Sequence, residues 1–164
     1  MHQYVYAFLL ERRDDEVFFV FPRFPEIVSA VPAEVFDVWD GDMKLSHAED
    51  AVITALQSIV LTRDVIPEPD DRRDRKAAGF VWLSTLQAMK LELARVFADT
   101  SCSVADFARK IDKHDTAARR LLNLRHRSAT DEIEEALAVF GRRLDSQWDT
   151  ELITHPVMRA LTGA

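Results

Sequence analysis

A single cysteine, Cys102, stands among the 164 residues of this chain. One thiol closes no internal disulfide, and a reducing compartment fits that count. Long hydrophobic runs are missing as well. The longest, Tyr4 to Leu10, is far short of the ~20 residues that cross a bilayer, so no membrane partner is expected. No basic segment leads into an apolar stretch at the start, and no secretory signal is expected. The expected location is the cytoplasm. No H-E-x-x-H, C-x-x-C, P-loop or G-x-S-x-G pattern occurs. The chain is therefore expected not to be an enzyme and to carry no metal and no cofactor. Cys102 lies near a helix start with no paired base and reads as an incidental thiol.

What is present is ordinary for a globular protein: 48% hydrophobic and 30% charged residues. The length suits one domain or two small ones. The net charge of -7 is unevenly spread. Residues 1–70 hold 5 Lys/Arg against 14 Asp/Glu, whereas residues 109–127 hold 7 against 2. Such asymmetry points to different partners for different parts, with nucleic acid the natural partner of the basic stretch and a solvated helix face the alternative.

The first half reads as α+β. YVYAFLLE (4–11) and EVFFVF (16–21) are aromatic and β-branched, and RRDD (12–15) makes a polar turn between them, a hairpin pattern. EIVSAV (26–31) suggests a third strand and EVFDVW (34–39) a fourth. Ser46 and Glu49 form a capping box before a helix with Ala48, Val52, Ala55, Leu56 and Ile59 on one face. IPEPDD (66–71) should stop that helix. Alternation makes Phe18, Phe19, Phe21 and Phe24 mostly core residues, with one or two available to an interface.

The second half reads as mostly helical. GFVWL (79–83) is a short strand that either returns to the first sheet or pairs with another chain. Ser84 and Gln87 cap a helix whose apolar face is Leu86, Met89, Leu93, Val96 and Phe97. Ser103 and Asp106 open a short helix with Val104, Phe107 and Ile111, and Asp112, Lys113 and His114 make the break. A third helix runs from Asp115 to Leu122, with His114 as its cap. Ser128 and Asp131 cap a fourth, with Ile133, Ala136, Leu137 and Phe140 inward and Gly141 closing it. Two short helices across a three-residue turn form a helix-turn-helix pattern. The acids at 131–135 complement the dipole of the fourth helix, whereas the arginines at 119–127 have no such local cause.

Residues 103–144 resemble the C-terminal helix-turn-helix of HicB-type antitoxins, above all in RLLNLRHRS (120–128), D-x-I-x-x-A-L (131–137) and FGRRL (140–144). FPRFPE (21–26), HAEDAVITAL (47–56) and IPEP (66–69) are similar to that family's partial RNase H-like domain and its exit. The resemblance implies a toxin-binding domain over 1–70, a linker over 71–78, a DNA-binding domain over 79–145 and a tail of unassigned role over 146–164. It implies as partners a small basic mRNA-cleaving toxin of HicA type and the operator DNA of the chain's own operon. A homodimer or higher homo-oligomer would place two helix-turn-helices on half-sites about 34–36 Å apart. GFVWL is a candidate for strand exchange between copies. The chain departs from the family at Asp112, where glycine is usual, at Lys113, where an apolar residue is common, and at Asp115, which would face phosphates. EVFDVWDGDM (34–43) looks like an insertion.

The expected DNA contacts follow from the recognition helix. Thr116, Ala117, Arg120 and Asn123 face base edges, and Ser103, Lys113, Arg119, Arg125 and Arg127 face phosphates. Arg120 has an alternative role, bracing the acidic turn at 131–135, and His126 reads as structural. Two rival functions remain. One is a stand-alone helix-turn-helix regulator with a ligand-sensing first domain. The other is a nuclease using Asp14, Asp15, Asp40, Asp42, Glu49 and Asp50, although carboxylates in turns and caps are usually just solvated.

Overall fold

The computed structural model describes residues 4–71 and 75–144. The expected tail over 146–164 and the centre of the expected linker lie outside the described residues. These hold a four-stranded antiparallel sheet and six helices, a mixed α/β chain. Contacts divide them into two compact units, one of residues within 4–55 and 67–82, the other of residues within 56–66 and from 83 onward.

The sheet unit begins with the expected hairpin. β1 (Val5–Arg13) pairs with β2 (Glu16–Val20) in the register Leu9↔Val20 to Arg13↔Glu16, around a turn in which Asp14 takes φ 51°. β3 (Ser29–Pro32) adds to β2, and β4 (Gly79–Trp82) adds to the first half of β1, with Val5↔Trp82. The order is therefore β3-β2-β1-β4. Of the two readings of GFVWL, the return to the chain's own sheet is the one seen. Asp70 takes up the backbone groups of β1 that lie past the Leu9↔Val20 pair. Its N–H donates to Val5 O (2.8 Å), and its carboxylate accepts from Ala7 N–H (2.9 Å) and from Arg23 Nε (2.7 Å). Tyr6 adds a bond from its hydroxyl to Pro67 O (2.9 Å), so the segment after the helix is tied to the strand.

Tyr4, Tyr6, Phe8, Phe19, Phe21 and Phe24 fill the interior of this unit. Phe18 is only half-buried and carries the Arg13 guanidinium over its ring. Gly79 lies against Phe8, where an added Cβ would come within 2.6 Å of the buried ring. Gly79→Ala is expected to cost about 1–3 kcal/mol by overpacking, visible as a lowered midpoint in urea unfolding.

Two expectations about residues 34–62 need correction. EVFDVW is not a strand: α1 runs Ala33–Val38, directly after Pro32 ends β3. Its Val and Phe content suits a strand, but the sheet has ended, and a proline at the start of a helix has no N–H of its own to satisfy. Next, α2 runs Gly41–Thr62, five residues ahead of the expected cap at Ser46. Asp40 is the actual cap, its carboxylate accepting from Met43 N–H at 2.8 Å. The expected apolar face holds, with Ala48, Val52 and Leu56 fully buried. The helix stops at Arg63, which takes the left-handed φ of 60°, before either proline is reached.

The helical unit comprises the end of α2, α3 (Thr85–Ala98), α4 (Val104–Lys110), α5 (Asp115–Leu121) and α6 (Thr130–Val139). Two of the four expected cap pairs, Ser84 with Gln87 and Ser103 with Asp106, form capping boxes. Gly141 closes α6 at φ 69°, its N–H donating to Ala138 O and that of Arg142 to Leu137 O, which is a Schellman motif. The start of α6 differs from expectation. Its N-cap is Ala129, Asp131 accepts from the adjacent Glu132 N–H, and Ser128 lies against the ring of His126. Phe97, Phe107 and Phe140 stack in sequence at 5.3 and 5.6 Å and tie α3, α4 and α6 together.

Candidate nucleic-acid interface

The α4–turn–α5 segment owes its shape to two local constraints. Ser103 and Asp106 exchange hydrogen bonds at the start of α4, and the Ser103 hydroxyl holds the Asp106 carboxyl below its usual range. At the other end Asp112 adopts φ 52°, a conformation that L residues other than Asn and Asp rarely take. This accounts for an aspartate where the resemblance implies a glycine: the turn needs a left-handed residue, and Asp tolerates it. Asp112→Val is expected to cost about 1–2 kcal/mol in thermal unfolding while Asp112→Gly costs nothing, because only the first carries a branched Cβ into that region.

On α5, Ala118 and Leu121 face inward and are buried. Thr116, Arg119 and Arg120 are exposed and Ala117 is half-buried, as residues one, three and four positions apart on one helical face should be. Asn123, Arg125 and Arg127 follow in the exposed stretch after the helix. The Oδ1 of Asn123 accepts from Arg125 N–H at 2.9 Å. The structure thus gathers seven of the nine expected contact residues on α5 and the loop that leaves it.

The other two have local partners. The Ser103 hydroxyl belongs to the cap of α4. Lys113 Nζ pairs with Glu132 Oε1 at 3.0 Å, which raises the ammonium's pKa and lowers the carboxyl's. The brace to the acidic turn is therefore Lys113 and not Arg120. Among the described residues, Arg119, Arg120 and Arg127 enter no ion pair. His114 sits at the N-cap of α5, but its side chain makes no capping bond; its carbonyl accepts from Ala117 and Ala118 instead. An imidazole is not among the short side chains that cap well.

What holds the arginine-bearing loop is a residue that the pattern of apolar positions had passed over. Lys90 of α3 is fully buried, and its Nζ donates to the carbonyls of Arg120 (2.8 Å), Asn123 (2.7 Å) and His126 (2.7 Å). Three carbonyls at and beyond the C-terminus of α5 thus converge on one ammonium, where the helix dipole also favours a cation. Burial pushes the Lys90 pKa down to about 8, with Glu132 pulling the other way. Gln57 adds a second clasp, its Oε1 accepting from Leu124 N–H at 2.7 Å and its amide reaching Leu122 O at 3.4 Å. A signal did exist: Lys90 stands in the stripe Leu86, Lys90, Leu93, Phe97, where a solvated lysine has no place.

The six carboxylates of the nuclease alternative do not form one cluster, although Asp40, Asp42 and Asp50 border a common open depression. Asp14 and Asp15 are in the β1–β2 turn, Asp40 caps α2, Asp42 lies in its first turn, and Glu49 and Asp50 lie further along it. Among the described residues no group of three or more His, Cys, Asp and Glu is placed to hold a metal ion, and no helix is long and apolar enough to cross a membrane.

These features define a class: a mixed α/β chain with an acidic sheet unit and a helical unit that presents arginines on a clamped helix and loop. Antitoxin HicB of Pseudomonas fluorescens (strain Pf0-1) is 31% identical over 100 residues, covering 61% of this chain and 68% of that protein. The chain belongs to the HicB antitoxin family. No protein-family model matches it.

Proposed function

We propose that this chain is a cytoplasmic antitoxin of two functional parts, with no catalytic activity of its own. Its acidic, sheet-bearing part, of partial RNase H-like type, binds and neutralises a small basic mRNA-cleaving toxin of HicA type. Its helical part is a helix-turn-helix that represses the chain's own operon, acting as a dimer or higher homo-oligomer on a palindromic operator. The observation that carries the reading is the relationship to the HicB antitoxin. The charge division supports it, since residues 1–70 at 5 Lys/Arg against 14 Asp/Glu suit a basic protein, and residues 109–127 at 7 against 2 suit DNA. On the DNA, Thr116, Ala117, Arg120 and Asn123 meet base edges, and Ser103, Lys113, Arg119, Arg125 and Arg127 meet phosphates.

A growth assay tests the reading in cells. Induction of the small basic protein of the same operon should arrest growth, and co-expression of this chain should restore it. Failure to restore growth while the chain binds its promoter would leave a regulator that is no antitoxin.

A further inference from the structure

The face built by α1 and the first turns of α2 is unusual for a protein surface with no partner. α1 has no buried residue, and Val38 is 80% exposed, Met43 49% and Val35 37%. Beside them Trp39, Asp40, Asp42, Ser46, His47 and Asp50 line an open depression of about 560 Å³. Trp39 stands against its neighbours on the inner side, 6.5 Å from Phe36 and 5.3 Å from His47. The charge of the face is predominantly negative, although Arg12 of β1 reaches α1 and pairs there with Asp37. Lys44 is the only basic residue between Arg23 and Arg63, and it is turned inward with its ammonium over the Phe36 ring at 4.3 Å. Burial holds the His47 imidazole below its usual pKa, although Asp50 raises it, so it adds no positive charge at pH 7.

We propose that this face is the docking surface for a basic protein partner, which places a lysine or arginine head in the depression and apolar side chains on Val38 and Met43. The proposal rests on the antitoxin reading and locates the partner on it. A cation entering the depression meets the carboxylates of Asp42 and Asp50 and the indole of Trp39, both attractive to it. Exposed Val38 and Met43 supply the apolar contact that desolvates the pair.

Titration calorimetry of the full chain against the small basic protein of its operon tests this. The variant Val38→Lys/Met43→Lys alters only exposed positions and is expected to bind about tenfold more weakly or worse, with Val65→Lys, a 90% exposed site elsewhere, binding as the wild type does. Equal affinity of the wild type and the double variant would overturn the docking surface and leave the antitoxin reading standing. A comparable loss in Val65→Lys would also overturn it, since any added charge would then suffice. A wild-type chain that binds nothing would overturn both.

Discussion

Replacing Lys90 by methionine is expected to lower stability by about 3 kcal/mol, near 1 kcal/mol for each carbonyl left without a donor in a dry site. For a chain of this size that is a fall in melting temperature of about 6–12 °C. The exposed neighbour variant Lys110→Met should change little, because it removes no buried partner. The same substitution should loosen the stretch from Arg120 to His126, seen as faster amide exchange there than in α3. A pH signature separates the ammonium from mere packing. The folded pKa of about 8 lies below the unfolded value of 10.5, so the unfolded chain binds more protons between them. On top of the hydrogen bonds the ammonium makes at neutral pH, its titration adds stability that is complete above pH 10.5 and is lost as pH falls through about 8. Wild-type stability should gain over that of Lys90→Met across this window. A variant with unchanged melting temperature and exchange would show that the clamp is dispensable.

The second large effect concerns DNA. Removing Arg119, Arg120, Arg125 and Arg127 together is expected to abolish measurable binding to the promoter region upstream of the chain's own gene. The singles should differ in kind. Arg125→Ala should weaken all sequences alike and lower the salt slope by about one phosphate, while Arg120→Ala should cost about 1–3 kcal/mol at a single base pair and relax specificity there. All four side chains sit on α5 or its following loop, and Ala at exposed positions leaves the Lys90 clamp untouched because that clamp grips backbone carbonyls. Gel-shift titrations at several salt concentrations read both quantities. An affinity independent of salt, or full binding by the quadruple variant, would contradict the assignment.

The parts of the fold that were legible in the sequence are those set by local chemistry. The hairpin, the capping boxes at Ser84 and Ser103 and the glycine after α6 each depend on a few adjacent residues, and the structure has these. The errors arose where tertiary context overrides composition. Val35, Phe36 and Val38 read as strand, yet the sheet ends at Pro32 and the same residues coil into α1. Ser46 looked like a helix start because the pattern Ser-x-x-Glu is complete, but Asp40 caps α2 earlier and leaves Ser46 inside it. For the candidate interface, the arginines stood out by charge alone. Their support did not, since Lys90 bonds carbonyls 30 to 36 positions away and main-chain acceptors leave no mark on a sequence.

The central claim, that this chain neutralises a toxin, is tested most directly with purified components. The small basic protein of the operon is set to cleave mRNA while this chain is titrated in. Cleavage should fall in proportion to added chain and stop once the two form a stoichiometric complex. Cleavage that continues in the presence of excess chain, with no complex formed, would contradict the account.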